Sequence, residues 1–226
     1  MQPISLNPTD TIAAVATAVA PGQGGIAVIR LSGPDAEAIG RAVVVCPGRQ
    51  DWNSHRILYG HVLDAGRSRR LDEVLLLLMR GPRSFTGEDV VEIHCHGGVI
   101  AVQQVLERVL AQPGVRRALP GEFSQRAVLN GRLDLTQAEA ISELVAARSR
   151  RAADLAMAGL DGGIQQRITA LRERLLDQLT ELEARVDFEE DLPPLDGEAL
   201  LLELQTVRQE LLALVADGER SDSVRS

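Results

Sequence analysis

Glu92, His94 and His96 stand at alternate positions in the run Ser84–Gly98, SFTGEDVVEIHCHGG. Thr86-Gly87 reads as a turn and Asp89 to Cys95 as a strand, and alternate residues of a strand share a face. One carboxylate and two imidazoles then point one way, with Val91, Ile93 and Cys95 opposite. Such a face could bind zinc or do acid–base work. No third strong metal ligand is evident, since His55 and His61 are the only other histidines. An organic ligand suits the face better, with Glu92 accepting from ring or amino N–H groups. A half-exposed sheet edge is the alternative.

Three more stretches carry candidate chemistry. Pro120–Ile141, PGEFSQRAVLNGRLDLTQAEAI, reads as a turn that brings polar groups into a site and is followed at once by a helix. Its Arg126, Asn130 and Arg132 could hold an anionic or polar ligand; helix capping and domain docking is the alternative. In Pro21–Ser32, PGQGGIAVIRLS, three glycines precede a strand and let backbone approach a ligand closely. They do not open a helix, so this is no dinucleotide fingerprint. Arg30 lies in the apolar run and must be paired or solvated in a cleft, unless a hairpin simply leaves it on the open face. Asp187–Asp191, DFEED, could hold a divalent cation, with a solvated acidic helix end as the default. No GxxxxGK[ST] phosphate loop occurs.

The elements that position these groups fall into two halves. Thr11–Thr17, Gly25–Ser32, Arg56–Val62, Asp72–Met79 and Val90–Cys95 are short, rich in aliphatic residues and bounded by Gly, Pro or Asp, which predicts strands. Helices are predicted from about Pro34–Asp35 to Val45 and from about Gly98 to Ala111, where Val102, Val105, Leu106 and Val109 repeat at helical spacing. From about Asp134 the pattern is wholly helical. Asp134 with Gln137, or Thr136 with Glu139, can make a capping box. Ala138, Ile141, Leu144 and Val145 form a stripe. Ile164, Ile168, Leu171, Leu175, Leu179, Leu182 and Val186 form a heptad-like seam that calls for a partner. Pro193-Pro194 ends that helix, and a last one carries Leu200, Leu204, Val207, Leu211 and Leu214.

Composition narrows the functions. The chain has 226 residues, 45% of them hydrophobic and 25% charged, with a net charge of −8. A surface of that sign repels phosphate and argues against tight non-specific nucleic-acid binding. Trp52, Tyr59, Phe85, Phe123 and Phe188 are too few to line a stacking groove for single strands. Cys46 and Cys95 make neither a disulfide scaffold nor a four-cysteine zinc site. No signal-like N-terminus and no apolar run of about 20 residues is present. A soluble, reducing, cytoplasmic setting is expected.

The segments DTIAAVAT, PGQGGIAVIRLSGPDA, SFTGEDVVEIHCHGG, PGEFSQRAVLNGRLDLTQAEAI and VDFEEDLPP occur in this order between Asp10 and about Asp196. Together they resemble the N-terminal part of the tRNA modification GTPases of the MnmE (TrmE) family. The resemblance implies an α+β N-terminal domain, similar to the folate-binding domains of aminomethyltransferases, followed by an all-α partial helical bundle. Residues 1–119 would be the folate-binding and dimerisation domain, 120–218 the first half of the helical domain and 219–226 a polar tail. The implied cofactor is 5-formyltetrahydrofolate or a related tetrahydrofolate, and no metal is implied for this part. Arg30 of IRLSG, Glu92 of VVEIHCHGG and Arg132 of LNGRLDL would contact it. Many relatives have lysine where Arg132 stands, which keeps the charge and changes its geometry. Arg30 and Arg132 suit the carboxylates of the folate tail, and Glu92 suits the N–H donors of a pterin.

The implied partners are a second copy of the chain, bound through the N-terminal domain, and, in the full-length family, MnmG (GidA) and tRNA, which is modified at uridine-34. No membrane is implied. The family's P-loop, DxxG and NKxD elements and its CIGK tail have no counterpart in the sequence. GTP, Mg and K are therefore expected only in the full-length family, and the chain reads as a fragment or truncated product without GTP hydrolysis of its own. Alternatives are a dimerisation scaffold that does not hold folate and a free-standing one-carbon enzyme of the aminomethyltransferase kind, for which no general acid or base can be assigned.

Overall fold

The computed structural model describes residues 10–22, 24–187 and 194–225. They form two compact units that divide between Leu133 and Asp134. In the first unit the strands are β1 (Thr11–Val15), β2 (Ile26–Ser32), β3 (Val44–Val45), β4 (Arg56–Leu63), β5 (Arg70–Met79), β6 (Val90–His96) and β7 (Val115–Arg117). They make one sheet in the order β3-β4-β5-β6-β2-β1-β7. Every pairing is antiparallel except β1 with β7.

Period-two patterning decides the two faces of this sheet. Val74, Leu76 and Leu78 of β5, Val91 and Ile93 of β6, and Ile29 and Leu31 of β2 are buried. They join Ile39 and Val43 of α1 (Ala36–Val43) and Val102, Val105, Leu106 and Val109 of α2 (Val99–Leu110) in one core. Burying each such side chain contributes roughly 1.5–3 kcal/mol. The intervening residues of the same strands, among them Arg30, Glu92, His94 and Leu75, lie on the open face.

The expected strands and helices of this half are present, with ends shifted by no more than two residues. Val44–Val45 leaves the first helix to pair with β4. β3 and β7 are too short to leave a period in the sequence. The larger difference is α3 (Glu122–Leu129), where a turn was expected. Its inward face is partly charged: Glu122 and Arg126 are buried, one turn apart, so the apolar period that betrays a helix is diluted. Because α3 packs through these groups, the first unit runs to Leu133 and the expected division at 119/120 falls later.

The second unit holds α4 (Leu135–Ala146), α5 (Arg150–Leu160), α6 (Gly163–Asp187) and α7 (Gly197–Arg225). Of the two capping boxes the sequence allowed, Asp134 with Gln137 is the one formed. Asp134 Oδ1 accepts from the Gln137 amide at 2.8 Å, and Gln137 Oε1 accepts from the Asp134 amide at 3.0 Å. Gln137 Nε2 also donates to the last carbonyl of α5, Leu160 O, at 3.0 Å. Ala140 and Ala156 are buried, and Gly159 leaves room for the Ala140 methyl, which a Cβ there would approach to 3.1 Å. Along the leucine seam Leu171 of α6 is buried, as is Val207 of α7, while Ile168, Leu175, Leu179 and Val186 are exposed. Arg174 of α6 donates to Glu203 at 2.6 Å and Glu210 at 2.8 Å, both on α7. Positions 188–191 of the acidic DFEED stretch lie outside the described residues. Among the described residues no helix is long and apolar enough to cross a membrane.

Candidate functional site

Arg30 of β2 lies directly opposite Glu92 of β6 in the antiparallel ladder. Arg30 Nε and Nη2 both donate to Glu92 Oε1, at 2.8 and 2.7 Å. Glu92 Oε2 lies 3.3 Å from His94 Nε2. The guanidinium carbon of Arg30 is 5.2 Å from the Phe85 ring centre and 5.8 Å from that of Phe123. Arginine is weakly hydrated and its flat cation rests well on aromatic faces, so a half-buried charge is stable here. Of the readings the sequence left for Arg30, the structure combines two: the residue lies on the open face of an antiparallel pair of strands, and it is paired there with Glu92.

The two rings arrive from different elements. Phe85 sits on the loop that leads into β6 and Phe123 on α3. The loop is fastened to β2 by Ser32, whose hydroxyl donates to Glu88 Oε2 at 2.6 Å and lies 2.6 Å from Thr86 Oγ1. Arg126, its side chain buried, donates to both Glu88 oxygens at 3.2 Å, to Asp10 O at 2.7 Å and to Glu122 Oε1 at 3.4 Å. Glu122 also receives Arg116 Nη1 and Nη2, at 2.9 and 2.6 Å, and the Leu119 amide at 2.8 Å. The Arg116 hydrogen bonds draw the Glu122 carboxyl down to about 2 against the burial that opposes ionisation.

The sequence candidates thus divide. Arg30 and Glu92 come together. Arg126 is committed to the carboxylates of Glu88 and Glu122, and Asn130, exposed at the end of α3, donates to Thr86 O at 2.8 Å. Arg132 is exposed, and among the described residues its side chain has no hydrogen bond or ion pair. It stands beside the same loop, its Cβ about 4.0 Å from where a Cβ on Gly87 would be. Glu92, His94 and His96 do share a face but do not converge. His94 turns to Glu92, whereas His96 Nδ1 lies 2.6 Å from Asp72 Oδ1, which raises its pKa. Among the described residues no group of three His, Cys, Asp or Glu side chains is arranged to hold a metal. Next to the ion pair the open face carries a cavity of about 260 Å³ lined by Ile26, Tyr59, Glu73, Leu75, His94 and His96 among others.

Sequence reading missed Phe85, Phe123, Ser32, Glu88 and Asp72 as parts of this arrangement. The available signal was the two phenylalanines, which stand in polar turn segments of a chain with only 2% aromatic residues.

Fold and site define an α+β domain with a charged and aromatic patch on its open sheet face, followed by an all-helical domain. Residues 11–132 match the family model described as GTP-binding protein TrmE N-terminus, and residues 135–226 match that of the MnmE helical domain. The chain belongs to this TrmE (MnmE) family. It is 85% identical over 221 residues to a tRNA modification GTPase MnmE of Parasynechococcus marenigrum (strain WH8102), covering 98% of this chain and 49% of that one. Relatives of the same name from Synechococcus sp. (strain CC9902) and Prochlorococcus marinus (strain MIT 9313) are 85% and 80% identical, over 96% and 95% of this chain and 48% and 46% of theirs. The chain spans about half the length of the curated relatives it matches.

Proposed function

We propose that the first unit binds a tetrahydrofolate derivative, with 5-formyltetrahydrofolate as the working ligand, on the open face of its sheet. The observation that carries this reading is the Arg30–Glu92 pair, with Phe85 and Phe123 both close to the guanidinium. A flat pterin offers N–H donors in a row, which a carboxylate accepts, and a ring face, which the phenylalanines suit. Such a folate supplies a one-carbon unit. Since Arg30 already meets Glu92, both serve the same end of the ligand. That leaves Arg132, exposed beside the loop, as the cation for the carboxylate tail. This revises the expectation that placed Arg30 at the tail.

The same unit would form a homodimer. Ile26, Ile57 and Leu75 are exposed on the open face, more apolar surface than a solvated strand needs. In the whole protein the module would serve a tRNA uridine-34 modification reaction with MnmG (GidA) as partner, in the cytoplasm. GTP, Mg and K would belong to a GTPase domain.

Calorimetric titration of the chain with 5-formyltetrahydrofolate tests the reading. One folate per chain is expected, with affinity reduced tenfold or more, about 1.4 kcal/mol, in both Arg30→Ala and Glu92→Ala. Absence of binding to the folded chain would sink it. A second reading, a dimerising scaffold that holds no folate, draws on the mutual satisfaction of Arg30 and Glu92, which needs no ligand. Dimerisation in sedimentation without folate binding would favour that one.

A further inference from the structure

We infer that Glu88 and Arg126 are positioning residues for the Arg30 site: they set the spacing of Phe85 and Phe123 about the guanidinium and touch no ligand themselves. The inference deepens the folate reading and rests on it for its ligand.

The two rings belong to separate pieces of chain, a loop and a helix, and backbone hydrogen bonding within either piece does not fix one against the other. Two side-chain links do. Arg126 of α3 donates to both oxygens of Glu88, at 3.2 Å each, and Asn130 at the end of α3 donates to the loop carbonyl Thr86 O at 2.8 Å. A third link, from Ser32 Oγ to Glu88 Oε2 at 2.6 Å, ties the loop to the strand that bears Arg30, two residues away on the same face. The Ser32 proton goes to Glu88, so the 2.6 Å contact between Ser32 and Thr86 is donated by Thr86. Arg126 is held in turn by Asp10 O and Glu122 and has no rotamer freedom to spare. Buried polar networks whose members are all satisfied enforce one arrangement, because an orphaned member is costly. Here the arrangement enforced is the approach of both rings to the Arg30 guanidinium.

Nitrogen-15 NMR of the whole 226-residue chain reads this without ligand. The Arg30 Nε–H signal, assigned by its loss in Arg30→Lys, should be displaced by the two ring currents and protected by Glu92. In Glu88→Gln it should move toward the position of a free arginine, while the remaining amide spectrum stays that of a folded protein. Affinity for 5-formyltetrahydrofolate should fall about tenfold in the same variant. Glu37→Gln, which breaks the surface pairs of Glu37 with Arg41 and Arg80, should alter neither readout. Should Glu88→Gln fail to fold, Ser32→Ala removes one of the three links and should shift the signal in the same direction by less. Glu88→Asp, which keeps the charge, should restore part of the displacement. An Arg30 signal unmoved in a folded Glu88→Gln, or in Ser32→Ala where Glu88→Gln does not fold, overturns the inference. If the native chain binds no folate yet the signal moves as described, the positioning role stands and the folate reading falls.

Discussion

Leu76 and Leu175 are the same residue in one chain, yet the first is wholly buried and the second 38% exposed. The contrast holds for their units. In the sheet unit each strand is locked by its neighbours into a register, so a residue that is apolar at one position commits the residues beside it in the ladder. Leu76 faces the core because its partner Ile93 does, and both are covered by α1 and α2. In the helical unit an apolar stripe orders one helix only. Among the described residues there, the buried apolar side chains are Ala140, Ala156, Leu171 and Val207. Periodicity says which side of a helix is apolar; it does not say that anything covers it.

The largest effect should be seen in amide exchange. The amides of Leu76 and Ile93 should exchange about a thousandfold more slowly than those around Leu175, since core strands open only with their whole unit. Substitution sharpens the same comparison. Ile93→Ala should cost roughly 2–5 kcal/mol by the lost transfer energy and the cavity left behind. Leu175→Ala should cost under about 1 kcal/mol, because its side chain is partly in water and alanine is a good helix former. Equal costs by denaturant melts would mean that the seam is covered in solution, and the comparison would break.

A second test concerns charge burial, which the sheet unit practises and the helical unit, among its described residues, does not. The folded pKa of Glu122, about 2, lies below its ordinary 4.5. The ionised carboxylate therefore stabilises the fold fully above about pH 4.5, and that contribution disappears as pH falls toward 2. The stabilisation is roughly 2–3 kcal/mol for a buried group. Glu122→Gln should lower stability at pH 7 and flatten its fall between pH 5 and 2 in urea melts. The Arg174 pairs with Glu203 and Glu210 lie at the surface, where ion pairs contribute little, and Glu210→Gln should move the urea midpoint far less than Glu122→Gln.

Much of the fold was legible because its signals are local. The strands alternate, and α2 repeats its valines at helical spacing. Arg30 and Glu92 stood out as charges in apolar runs, and the ladder that sets them face to face follows from strand pairing that no single run specifies. What stayed illegible was non-local or masked. Phe85 and Phe123 meet Arg30 only after three elements are folded. The buried pair Glu122–Arg126 replaced the hydrophobic stripe by which α3 would have been recognised, so Arg126 passed for a ligand-binding group.

The smallest effect concerns the first helix start of the helical unit, where sequence and structure agree most closely. Asp134 accepts from the Gln137 amide at 2.8 Å and from the Thr136 hydroxyl at 2.6 Å. The Thr136 bond is the foremost cause holding its carboxyl below the usual range, so it is ionised at neutral pH beside the positive end of α4. Asp134→Ala orphans one amide and should cost about 1 kcal/mol, while Asp134→Asn, which still accepts, should cost a few tenths. Both losses should be confined to the helical unit: exchange at Ala138 and Glu139 should speed up while Ile93 is unmoved. A faster Ile93 amide in Asp134→Ala would show that the two units share their stability, and the contrast between them would then describe packing alone.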